Sequence, residues 1–247
     1  MTVAHHPTEE TLAAFAAGTL DEGRMLVVAA HLAACPDCRR TVRMLEATGG
    51  LMLDDLAPAE MASDGFLRAM AEIDAPAFPS PRVRGDGGST RSVESGEGAF
   101  PHRRGAAIDL SRSAGRADLI PGLLPEHQAM LAPYEMGPWK WIGPGVSWRQ
   151  IAAPTLPGGR VFLLKAAGGT LLPDHTHTGT ELTCVLTGAF RHEHGRYGPG
   201  DIDEADDEVD HTPVVEAGSD CICLVAMQGR LKLNGLLGRV LQPFVRL

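Results

Sequence analysis

The sequence predicts a multidomain α + β protein: a small helical domain, a linker, and a C-terminal domain of short β-strands. Three observations carry that expectation. The stretch His31-Leu-Ala-Ala-Cys35-Pro-Asp-Cys38 lies in a run of helix-forming, capped segments. Residues 78–118 are rich in Pro, Gly, Ser and Arg, a composition that cannot bury enough apolar surface to fold alone. From about residue 139 the pattern changes to short β-runs divided by glycine and proline turns.

The helical part reads as four helices over residues 8–77. Thr8 is placed to cap the first, with Glu9 and Glu10 in its opening turn, Leu12, Phe15 and Ala16 as its apolar side and Gly18 at its end. Asp21 caps the second, which runs through Met25, Leu26, Val28, Ala29 and Leu32 to Cys35. The third is expected to start at Pro36, to present Val42 and Leu45, and to stop at Gly49-Gly50. After a break at Pro58, Ser63 is expected to cap a fourth, carrying Phe66, Leu67, Met70 and Ile73 as one apolar stripe. Leu56-Ala-Pro-Ala-Glu separates that helix from the rest. Such a stripe can pack on its own domain or on a partner, and its detachment favours a groove on a partner.

Within this part, a helix brings His31 and Cys35, four residues apart, onto one face. Pro36 cannot continue that helix but suits the first turn of the next, so Cys38 folds back beside Cys35. An imidazole and two thiolates form a zinc-type ligand set. His5 and His6, ahead of the first helix, both qualify as the fourth ligand. Three helices in so short a stretch bury little surface, and zinc contributes on the order of 10 kcal/mol to folding in such domains.

Charge and cysteine usage bound the function. The five cysteines, Cys35, Cys38, Cys184, Cys221 and Cys223, are odd in number and clustered, which suits metal or redox chemistry in a reducing compartment. No apolar run approaches a membrane span and no secretory leader opens the sequence, so a cytoplasmic protein without membrane contact is expected. The net charge of −9 is uneven: residues 1–77 carry −7, residues 78–130 carry +1 and residues 131–247 carry −3. Phosphate backbones repel so acidic a helical part, which argues against direct nucleic-acid binding; the charge suits a basic protein partner or serves solubility alone.

The β-runs are Trp139–Ile142, Val146–Ala152, Arg160–Ala166, Glu181–Thr187, Ala189–Glu193 and Cys221–Met227, and their spacing predicts a sandwich or a barrel. Gly85-Asp-Gly-Gly-Ser-Thr in the linker lacks the Lys-Ser/Thr of a phosphate loop. Cys221 and Cys223 fall on one face of a strand, as buried packing residues or as redox-sensitive thiols. His192 and His194 are expected to face solvent at a strand end.

The most specific pattern is Gly169-x5-His175-x-His177-x3-Glu181-x6-Gly188, which matches the first motif of the cupin barrels at every fixed position. His175 and His177 alternate along a strand and Glu181 returns from the next, giving two imidazoles and a carboxylate for Zn, Fe, Mn or Ni. In cupins a second motif opening Gly-Asp supplies a last histidine. Gly200-Asp201 followed by His211 resembles it, although the internal Pro-x-Gly turn is replaced by Asp206-Asp207-Glu208.

Together, the His-x3-Cys-x2-Cys unit, the acidic balance, the detached helix and the cupin motifs resemble the ChrR family of anti-sigma factors. Further echoes are Ala16-Ala-Gly-Thr-Leu, Gly188-Ala-Phe-Arg, His211-Thr-Pro-Val and Asp220-Cys-Ile-Cys. The resemblance implies a zinc-binding anti-sigma domain over 1–77, a linker over 78–130 and a cupin sensor domain over 131–247. It further implies zinc on His6, His31, Cys35 and Cys38, and a second divalent metal, zinc first, on His175, His177, Glu181 and His211. The partner would be an extracytoplasmic-function sigma factor, held away from RNA polymerase and released under singlet-oxygen-type stress, with Phe66, Leu67, Met70 and Ile73 against it. The alternative from the same residues is an iron-dependent cupin dioxygenase carrying a zinc docking module.

Overall fold

The computed structural model describes residues 2–74, 120–205 and 212–229, with the backbone of 231–233. The chain divides into two compact units, Met1–Gly50 with Arg104–Leu247, and Leu51–Arg103. The linker expected from residue 78, as far as residue 119, and the segment after residue 233 lie outside the described residues.

In the larger unit, α1 (Glu9–Ala16) begins where Thr8 accepts a hydrogen bond from the Thr11 backbone N–H, and α2 (Glu22–Ala34) where Asp21 accepts from Gly23 and Arg24. These caps satisfy donors that the first helical turn leaves unpaired. Helix α2 ends at Cys35, and Pro36 opens α3 (Pro36–Asp54) at once. The Arg39 guanidinium folds back on the carbonyls of Leu32 and Ala33, capping the C-terminal end of α2. The expected stop at Gly49-Gly50 does not occur: α3 runs to Asp54, and neither glycine adopts the positive φ of a helix stop. Each costs about 1 kcal/mol against alanine in a helix, too little to end one without that turn.

In the smaller unit, α4 (Gly65–Asp74) starts two residues after Ser63. Phe66, Leu67, Met70 and Ile73 are all exposed on it.

The strands are β1 (Lys140–Gly143), β2 (Val146–Ile151), β3 (Gly159–Ala166), β4 (His175–His177), β5 (Glu181–Thr187), β6 (Phe190–His192), β7 (Gly195–Tyr197), β8 (Ile202–Ala205), β9 (Val214–Val215), β10 (Cys221–Gln228) and β11 (Leu231–Leu233). A six-stranded antiparallel sheet of order β1-β2-β3-β10-β5-β8 shares a core with a three-stranded sheet β7-β6-β9, and β11 pairs with β4. Cys221, Cys223, Val225 and Met227 of β10 join Phe162, Val185, Phe190 and Val215 in the inner core. The alternate residues Ile222, Leu224 and Ala226 face outward, yet they too are buried.

Helix α2 is what covers them. Leu26, Val27, Val28 and Ala30 form one continuous core with Leu163, Leu182, Leu186 and Leu224 of the outer sheet face. This explains why β10 reads as an apolar run from Cys221 to Met227: both of its faces are buried. The helix start comes so close to β3 that a Cβ on Gly23 would clash with Val161 Cγ2.

A segment assigned to the linker by composition is also part of this core. Helix α5 (Pro125–Leu131) packs His127 and Leu131 against α2, after Ile120 and Leu123 have been buried. Its few apolar residues sit between prolines and a glycine, which disguises it in the sequence. His127 is buried, its Nε2–H donating to the Ala30 carbonyl at 3.0 Å, with Nδ1 lacking a partner among the described residues. Burial therefore holds its pKa below the ordinary histidine value, against smaller opposing effects of the Ala30 carbonyl and Glu126.

Because the folded pKa is depressed, the unfolded chain binds the proton more readily as pH falls. The stabilisation is fully present above about pH 6.5, the unfolded value, and is lost as pH drops through the folded pKa. His127→Leu is expected to make the melting temperature fall less between neutral and mildly acidic pH than in the parent chain. Thermal unfolding across pH checks this.

Candidate metal centres

The four residues of the helical candidate site come from three elements. His31 lies in the last turns of α2, Cys35 at its end, Cys38 in the first turn of α3, and His6 on the extended arm before α1. One donor atom from each lies within 4.8 Å of all the others. His6 Nδ1 stands 3.5 Å from Cys35 Sγ and 3.4 Å from Cys38 Sγ. His31 Nδ1–H donates to the Gly200 carbonyl at 2.7 Å, while its Nε2 is buried and has no hydrogen-bond partner among the described residues.

An orphaned, fully buried ring nitrogen beside two buried thiols is costly unless something binds it. A tetrahedral Cys2His2 zinc fits this donor set, and the Nδ1–H to carbonyl bond is the support that metal-bound imidazoles usually have. Burial, partly offset by the Gly200 bond, lowers the His31 pKa, so the ring is neutral and presents a lone pair. Burial, the Cys35 hydrogen bond and nearby charge raise Cys38 well above the usual thiol range. A bound cation would reverse that preference and stabilise the thiolate. Three of the four residues are buried; His6 alone is exposed.

In the barrel, His175 opens β4 and donates from Nδ1 to the Pro173 carbonyl at 2.7 Å, so Nε2 is the ring nitrogen that could ligate a metal. Glu181 opens β5, and its Oε1 accepts from Thr183 Oγ1 at 2.9 Å. The His177 side chain and His211 lie outside the described residues.

Cys221 and Cys223 do share a face, with sulfurs 3.7 Å apart in the inner core. The hydrogen bond between them, then burial, raises the Cys223 pKa well above the ordinary thiol value, and burial does the same to Cys184. Such thiols are neutral and poor nucleophiles while the core stays closed.

His192 departs from the solvent-facing expectation. Its side chain is fully buried, with Nε2 3.1 Å from Asp203 Oδ2 and the ring packed against both Phe190 and Tyr197. The short β6–β7 hairpin folds it inward, onto a carboxylate that arrives from β8.

Over 249 residues the chain is 38% identical to Anti-sigma-E factor ChrR of Cereibacter sphaeroides, and the match covers 100% of both chains. The chain belongs to the ChrR family of anti-sigma factors. The ChrR cupin-like domain model matches residues 127–230, and a zinc-finger family model matches residues 7–39. Among solved structures, Rhodobacter sphaeroides SigE in complex with the anti-sigma ChrR is similar: 34% identity, a TM-score of 0.63, 92% of this chain and 100% of that one. The zinc-finger match spans α1, α2 and the start of α3, ends one residue beyond Cys38, and leaves His6 just outside. Within the ChrR framework, the residues that sequence reasoning passed over are His127, Asp203 and the role of Gly200-Asp201. That dipeptide was visible as part of a cupin motif, but its partners near residues 4 and 31 are far away in sequence.

Proposed function

We propose that this chain is a cytoplasmic, non-catalytic anti-sigma factor. It sequesters an extracytoplasmic-function sigma factor from RNA polymerase and releases it under oxidative stress of the singlet-oxygen type. One observation carries the reading. Most large exposed apolar side chains among the described residues fall between Leu51 and Ile73, in a chain that aligns end to end with an anti-sigma factor. Exposed apolar surface on that scale marks a binding face.

The mechanism is occlusion. An apolar and acidic surface competes with polymerase for a basic sigma factor, with charge steering the encounter and Phe66, Leu67, Met70 and Ile73 seated against it. Zinc on His6, His31, Cys35 and Cys38 supplies the cross-link that keeps α1, α2 and α3 in the shape the sigma factor recognises. The barrel would hold its own divalent ion, zinc in the first instance, through His175, His177, Glu181 and His211. Cys221 and Cys223 are the thiols nearest in role to an oxidation sensor, protected until the barrel opens.

Coexpression with a sigma factor tests the first half: a stable complex on size exclusion and loss of promoter firing in vitro are expected. His177→Ala tests the second. Repression should persist while induction by singlet oxygen disappears, and equal induction in both proteins would eliminate the barrel metal as the sensor. Iron in the barrel accompanied by oxygen turnover would instead establish a dioxygenase.

A further inference from the structure

The arm that carries His6 is held by the barrel. Asp201 is buried and its Oδ1 accepts from the backbone N–H groups of Ala4, at 2.6 Å, and His5, at 3.0 Å, while Oδ2 accepts from Gly198 N–H at 2.8 Å. The Ile202 N–H donates to the His5 carbonyl at 3.3 Å. The His5 ring stacks on Tyr197, centroids 4.0 Å apart and 22° between planes. One residue further along, His6 reaches the two cysteine sulfurs.

The same turn touches the other side of the site. Its Gly200 carbonyl accepts the His31 Nδ1–H, fixing that ring's tautomer. Gly200 has φ +90°, and a Cβ there would lie 2.6 Å from Ala34 Cβ and 3.1 Å from Val3 Cγ2. The turn is anchored in turn to β5, since Gly200 N–H donates to the Val185 carbonyl and Val185 N–H to the Asp201 carbonyl. Strand β5 is the one that begins at Glu181.

We infer that the barrel turn Gly198–Asp201 is the outer shell of the helical half's metal site, with Asp201 and Gly200 as positioning residues, so that metal retention and docking of the helices on the barrel form one linked equilibrium. His6 is the exposed ligand and comes from an extended arm, so the arm is where the site opens. Asp201 converts a free N-terminal segment into a fixed one, which removes the entropy cost of ordering it at each binding event. Linkage makes the effect reciprocal: whatever loosens the turn weakens metal binding, and loss of metal loosens the turn by the same factor. This rests on the zinc reading of His6, His31, Cys35 and Cys38.

Cobalt(II) in place of zinc, in the full chain, provides the test. Thiolate-to-cobalt charge-transfer absorption reports only the cysteine-containing site, whatever the barrel holds. Asp201→Ala removes the acceptor of the arm, and Gly200→Ala wedges the halves apart without touching a ligand. Both variants are expected to lose the charge-transfer band to excess chelator about tenfold faster than the parent, the usual range for outer-shell losses. Unchanged rates in both would overturn the inference. A parent protein that never develops the band would overturn the zinc reading instead.

Amide hydrogen exchange on the parent chain needs no variant. Removing the metal should accelerate exchange at Ala4, His5, Gly198 and Ile202, and unaltered protection there would refute the coupling.

Discussion

His31→Ala and Cys38→Ala are each expected to abolish metal binding at the helical site and capture of the sigma factor together. The apparent binding free energy of a structural zinc, on the order of 10 kcal/mol, is comparable to the whole stability of a small domain. Cys38 and His31 are buried with their donor atoms converging, so either truncation leaves the remaining donors desolvated and unpaired. Metal content per chain and copurification with the sigma factor measure the result. A variant that lacks the metal yet copurifies stoichiometrically would show that the ion does not maintain the binding surface. Barrel integrity is checked separately through the near-ultraviolet circular dichroism of Trp139, Trp141 and Trp148.

The second large effect is expected on α4. Phe66→Asp combined with Met70→Asp places two carboxylates on a helix face whose apolar side chains are exposed without the partner. Interface anchors of this kind carry about 2–4 kcal/mol each, so affinity for the sigma factor should fall by at least about a hundredfold. Both positions already face water, so thermal stability should change little. Calorimetric titration against the sigma factor and a melting curve separate these quantities. Undiminished affinity would move the binding face away from α4.

Much of this was legible in the sequence because local rules dominate there. Thr8, Asp21 and Pro36 mark helix starts through their own backbone chemistry, and the four-residue spacing of His31 and Cys35 is a property of a single helix. Cys221 and Cys223, two apart on a strand, likewise share one face of β10. The failures share a cause. Gly49-Gly50 was read as a stop from composition, although a stop requires a left-handed conformation that neither residue takes. His192 lies beside Asp203 only after β6, β7 and β8 assemble. Helix α5 was hidden in a segment judged by its prolines, and its reason for ordering is α2, nearly a hundred residues earlier. The coupling of Asp201 to Ala4 is longer-range still.

Helix α2 belongs to two cores at once: it supplies His31 to the metal cluster, and it roofs the outward face of β3, β5 and β10. Substitution on either side must therefore be answered on the other, with Val27 and Val28 changing in step with Leu163 and Leu224. Grafting the first fifty residues of one homologue onto the barrel of another would join mismatched surfaces unless those three strands travelled with the helix. The helix and those three strands are therefore expected to be exchangeable between homologues only as a unit.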